Sequence, residues 1–122
     1  MRLADMQLSL DEGLLTVRLS GEVDSSNAAE LRTAITEAMP NDAYGVVLDL
    51  TPVDYLDSAG IHLLFRLREG LRSRSQGLRL VVPPGSVVTD ALRLAGVQGT
   101  IEFDNTVAQA LAYLRASVRN YS

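Results

Sequence analysis

Val46-Val47-Leu48-Asp49-Leu50 is a short, nearly continuous apolar run rich in β-branched residues. A strand with apolar side chains on both faces suits the centre of a largely parallel sheet, where helices cover it on each side. Helical patterns flank it as that architecture requires. From Ser58 to about Arg74, Ile61, Leu64, Leu67 and Leu71 form one stripe, with His62, Arg66, Glu69 and Ser73 on the polar side. Upstream, Ala28, Leu31, Ile35 and Ala38 recur at spacings of three and four, behind the candidate N-caps Asp24, Ser25, Ser26 and Asn27.

The remaining elements fit the same frame. Leu8 to Leu19 holds two apolar stretches around the turn cluster Asp11-Glu12-Gly13, and Leu15-Thr16-Val17-Arg18-Leu19 alternates as a half-buried strand does. Gly21-Glu22-Val23-Asp24 is expected to break that strand. Thr51 to Asp57 is expected as a loop, with Pro52 interrupting any ladder. Leu78 to Val82 reads as a strand stopped by Pro83-Pro84-Gly85. Ser86 then caps a helix with Val88, Ala91, Leu92 and Ala95, which Gly96 ends. Thr100 to Phe103 reads as a brief strand. Asp104-Asn105-Thr106 starts a last helix with Val107, Leu111, Leu114 and Val118 inside. The expected class is α/β, a small mixed, mostly parallel β-sheet packed with about four helices, in one domain over residues 1–122.

Composition narrows the function. Net charge is -4, from 15 acids against 11 bases, whereas a general nucleic-acid binder presents a basic surface. All the bases are arginine. The chain has no cysteine, which excludes disulfides, thiolate metal sites and cysteine catalysis. Met1 to Leu10 lacks the apolar run of a signal peptide, and no segment has the roughly 18 apolar residues that span a bilayer. A cytoplasmic location, with no direct membrane insertion and no nucleic-acid partner, is expected.

Chemistry centres on Leu56-Asp57-Ser58-Ala59-Gly60, where a strand-like run gives way to a helix. Ser58 would stand at a helix N-terminus, where free backbone N–H groups can hold an anion such as phosphate. As a nucleophile it has half of the Gly-x-Ser-x-Gly elbow, since Leu56 occupies the leading position. The sole histidine, His62, sits one turn further along the same helix and reads as a solvated residue rather than a triad base. Asp49, Asp54 and Asp57 cluster where α/β folds place their sites, and could bind magnesium or simply form turns and caps. Neither phosphate-loop pattern occurs and there is no lysine to contact phosphates, so nothing in the sequence asks for a nucleotide, and no cofactor is expected.

Val46 to Leu50 followed by Val53-Asp54-Tyr55-Leu56-Asp57-Ser58-Ala59-Gly60 resembles the signature of the STAS family, the bacterial anti-sigma factor antagonists and related sulfate-transporter domains. Gly21-Glu22-Val23-Asp24 and Leu92-Arg93-Leu94-Ala95-Gly96-Val97 are similar to two further motifs of that family. The resemblance spans roughly residues 6 to 115. It implies an antagonist, not an enzyme, whose serine after Asp is phosphorylated by an anti-sigma factor with serine kinase activity and reset by a phosphatase. Carried over, the phosphoacceptor is Ser58, with Ala59 in place of a second hydroxyl. The partner surface implied comprises Asp24, Ser25, Tyr55, Leu56, Asp57, Ala59, Gly60 and Ile61, with Gly85 to Val87 beside it. For Asp24, recognition of a basic group and N-capping both remain open. For Asp57, capping and orienting Ser58 do too. Gly60 is expected to permit close backbone approach, and Asp49 to be structural. The alternative function is a STAS scaffold or transporter-associated subunit without a phosphoswitch.

Overall fold

The computed structural model of the chain describes residues 5–119. Strands β1 (Asp5–Asp11) and β2 (Leu14–Val23) form an antiparallel hairpin. Helix α1 (Ala28–Ala38) crosses to β3 (Gly45–Asp49), which runs parallel to β2. A short strand, β4 (Val53–Leu56), leads into α2 (Ser58–Arg72) and then β5 (Gly77–Val81). Helix α3 (Val87–Leu94), a 3-10 turn at Val97–Gly99, β6 (Phe103–Asp104) and α4 (Val107–Arg119) follow. The result is a mixed sheet of six strands in the order β1-β2-β3-β5-β6, with β4 paired to β2. The side chain of Val118, expected to face inward, lies outside the described residues.

Period-two alternation sorts the strand residues between two faces. Leu15, Val17 and Leu19 share one face with Val46, Leu48 and Leu80, while Leu14, Val47 and Val81 belong to the other. Strand order advances one way from β2 through β3 and β5 to β6, so right-handed crossovers put α1, α2 and α3 on the same face. There Leu31, Ile35, Leu64, Leu67 and Leu92 join a single core. The opposite face is covered by α4 through Ala110 and Leu114. Val46, Val47 and Leu48 are consequently buried on both sides, as their composition demands.

Three local expectations give way to tertiary pairing. Strand β2 does not break at Gly21 but continues through Val23. Gly21 takes φ 94°, and the ladder shifts register between Gly21 and Glu22. A glycine adopts that backbone without a Cβ clash, and a bulge of this kind re-aims a strand. Beyond it β2 leaves β3 and pairs with Val53–Leu56, so the expected Thr51–Asp57 loop contains β4. Pro52 cannot donate, yet its carbonyl accepts from the Gly21 N–H at 3.2 Å. Finally, the brief strand expected at Thr100 to Phe103 falls later, at Phe103–Asp104, because the N–H groups of Thr100 and Ile101 close the preceding 3-10 turn on the Val97 carbonyl. The partner switch at Gly21 brings the Tyr55–Ser58 segment against the end of β2.

Candidate functional site

Helix α2 starts at Ser58 because Asp57 caps it. The Asp57 carboxylate accepts from the backbone N–H of Ala59 at 2.9 Å and of Gly60 at 3.1 Å. Two of the donors that a bare helix start would offer an anion are therefore taken. This corrects the expectation of a free N–H nest around Ser58. What remains is the serine itself: its side chain is exposed, and among the described residues no hydrogen bond holds its hydroxyl. An exposed, unengaged hydroxyl on a fixed backbone is an accessible acceptor for group transfer.

Gly60 sets how closely α2 can approach the strands. A Cβ there would overlap Leu56 Cδ1, lie 2.9 Å from Leu56 Cγ and 3.1 Å from the Val23 carbonyl oxygen. Gly60→Ala is expected to destabilise by about 1–3 kcal/mol, the usual cost of overpacking. This holds although alanine is intrinsically about 1 kcal/mol better than glycine in a helix. Urea unfolding should show a lower midpoint at unchanged slope.

The neighbouring β2–α1 connection is held from inside. The carboxylate of Asp24 accepts from both the N–H and the hydroxyl of Ser26, which lowers its pKa from the ordinary value. Asp24 is thus a turn former rather than the cap of α1. Asn27 occupies the N-cap position without a side-chain capping bond. Its buried amide instead donates to the Glu22 carbonyl at 2.8 Å and accepts from the Asp24 N–H at 3.0 Å. Asn27→Ala would leave both backbone groups short of a partner, with an expected loss of about 1–3 kcal/mol measurable by thermal or urea unfolding.

Helices α1 and α2 lie side by side on one face, and both begin at the end of the sheet where Ser58 stands. Between them runs an open groove of about 360 Å³ lined by Ser25, Ala28, Ala29, Arg32, Ser58, Ala59, His62, Leu63 and Arg66. Periodicity puts His62 and Arg66 on the polar face of α2, but it cannot show that this face meets Arg32 of α1. No sequence signal would have joined those three basic side chains.

The expected site residues divide by burial. Ser25, Tyr55 and Ser58 are exposed, while Asp24, Asp57, Ala59 and Ile61 are half-buried. Leu56 is 8% exposed and belongs to the core, so its side chain offers a partner almost nothing. Gly60 is buried as well. Asp49 is buried and accepts from the Thr51 N–H at 3.0 Å, a structural turn contact. Among the described residues no group of three acidic or histidine side chains is placed to hold a metal. No described helix is long and apolar enough to cross a membrane.

Residues 5–110 match the family model described as STAS domain. Over 104 residues the chain is 31% identical to anti-sigma-F factor antagonist RsfB of Mycobacterium tuberculosis, covering 84% of this chain and 83% of the relative. Its fold superimposes on the crystal structure of an anti-sigma factor antagonist from Mycobacterium paratuberculosis with a TM-score of 0.82 at 25% identity, covering 93% and 95% of the two chains. Unphosphorylated SpoIIAA, an anti-sigma factor antagonist, matches in fold with a TM-score of 0.74 at 19% identity over 92% of this chain and 97% of its own.

Proposed function

The chain belongs to the STAS domain family, and on that basis we propose that it is an anti-sigma factor antagonist switched by phosphorylation of Ser58. The unmodified protein captures an anti-sigma factor that has serine kinase activity, which frees a sigma factor. In the switching step the kinase moves the γ-phosphoryl group of ATP to the Ser58 hydroxyl. The new phosphorus–oxygen bond forms as the bond to the ADP oxygen breaks, and the hydroxyl proton passes to a base on the kinase. A phosphatase returns the serine by hydrolysis.

The observation that carries this reading is the exposed, unengaged Ser58 hydroxyl on a helix start fixed by Asp57. Support comes from the antagonist name of the 31%-identical relative. The solved phosphorylated form of SpoIIAA adds that this fold accommodates a phosphate. Tyr55 on β4 and Val87 at the start of α3, 50% and 77% exposed, supply apolar area for a partner around the serine. In this reading Asp57 serves the transfer indirectly, by holding the backbone that presents Ser58.

The test is mass spectrometry after incubation with ATP and a GHKL-type anti-sigma kinase encoded near its gene. One phosphate on Ser58, absent from Ser58→Ala, is the expected result. A kinase that binds the protein and leaves Ser58 unmodified would refute the switch.

A further inference from the structure

We propose that the groove between α1 and α2 is an intramolecular seat for the phosphate on Ser58, formed by Arg32, Arg66 and His62. The inference rests on Ser58 being the phosphorylated residue and concerns what happens to the phosphate afterwards.

The groove opens directly at the serine and is lined by three basic side chains and no carboxylate. That local character runs against a chain whose net charge is -4. Elsewhere Arg68, Arg79 and Arg115 are committed to acidic partners. Neither Arg32 nor Arg66 has an ion pair among the described residues.

Helix geometry aims these cations at the serine. His62 lies four residues beyond Ser58, about 6 Å of helical rise and on the same face, and Arg66 one further turn along. Side chains on a helix tend to lean toward its N-terminus, a direction that for Arg66 on α2 and Arg32 on α1 leads along the groove they line with Ser58. Guanidinium groups match phosphate oxygens with paired N–H donors, and a protonated imidazole adds another.

The acidic groups nearby are already engaged. Asp57 faces the Ala59 and Gly60 N–H groups, and Asp24 faces Ser26. Asp54 is exposed on β4 and does not line the groove. With the helix N–H groups of Ala59 and Gly60 used by Asp57, side-chain cations are the means this site has of balancing a dianion.

The experiment uses the full chain with phosphoserine incorporated at position 58 during synthesis, so it needs no kinase. Phosphorus NMR at low ionic strength follows the second ionisation of the phosphate, ordinarily near pH 6. In the otherwise wild-type chain this ionisation is expected at least about 0.5 unit lower than in Arg32→Gln/Arg66→Gln, because nearby cations favour the dianion. Arg32→Lys/Arg66→Lys retains the charges and should retain most of the lowering, which separates charge from disturbance of the helices. Equal phosphate ionisation in the wild-type and glutamine chains would overturn the seat while leaving the Ser58 switch intact. Failure of a kinase to modify Ser58 would instead remove the switch and leave the titration result standing.

Discussion

Phosphorylation of Ser58 is expected to weaken binding to the anti-sigma factor by at least about a hundredfold, a loss near 2.7 kcal/mol. The modification adds about -1.5 to -2 charges at one point of the surface. It does not gain much from the helix dipole, worth only about 0.3–1 kcal/mol at an exposed helix start. Asp57 has in any case already claimed the Ala59 and Gly60 N–H groups. The fold therefore has little reason to rearrange, and the effect falls on the partner. Arg32 and Arg66 are present before and after, so the groove still moves from net positive toward neutral. A partner surface matched to the unmodified groove meets the wrong charge, and such mismatches across an interface cost several kcal/mol.

Calorimetry with the anti-sigma factor should show this loss for the phosphorylated chain, a smaller one for Ser58→Asp, and near-wild-type affinity for Ser58→Ala. Raising salt should shrink the difference, because screening weakens exposed charge interactions. Phosphorylated protein that binds as tightly as the unmodified chain would refute the proposed mechanism.

The largest effect on stability is expected on the opposite face of the sheet. Arg79 of β5 lies under α4 with its guanidinium bonded twice to Asp104, at 2.8 and 2.9 Å. It also stacks over the Tyr113 ring at 3.7 Å. The two charged side chains are 10% and 12% exposed. Burial penalises the Arg79 cation, but the hydrogen bonds and charge of Asp104, with further help from Tyr113 and Glu102, together outweigh it and hold the pKa above its ordinary value. Asp104→Ala would strand that cation beneath α4, with an expected cost of about 3–5 kcal/mol. Native domains have only about 5–15 kcal/mol in hand.

The double substitution Arg79→Met/Asp104→Leu should recover most of the loss, since apolar replacement of a buried pair is often neutral or better. Urea midpoints of the three proteins check both statements. If Asp104→Ala unfolds at the wild-type midpoint, the ion pair between β5 and β6 does not stabilise the fold.

The core and the element order are local properties, and they were legible. Leu15, Val17 and Leu19 alternate as a half-buried strand must, and each is at most 3% exposed. The stripe of Leu64, Leu67 and Leu71 faces the core, and Ser58 opens α2. Arg79 was not legible as a core residue. Its position between apolar neighbours looks like an outward polar site until α4 returns across the second face of the sheet. β4 was hidden for a similar reason, since its four residues become a strand only when the bulge at Gly21 frees the end of β2 to pair with them.

Local pattern was enough for an α/β fold with a serine at a helix start, because hydrophobic periodicity acts over one or two turns of chain. Only the tertiary structure decided what surrounds that serine. Asp57 takes the helix N–H groups that looked free for an anion, and the parallel packing of α1 on α2 gathers Arg32, His62 and Arg66 around the Ser58 groove. Two helices separated by β3 and β4 meet there through right-handed crossovers between strands, a consequence of sheet order that no local pattern encodes.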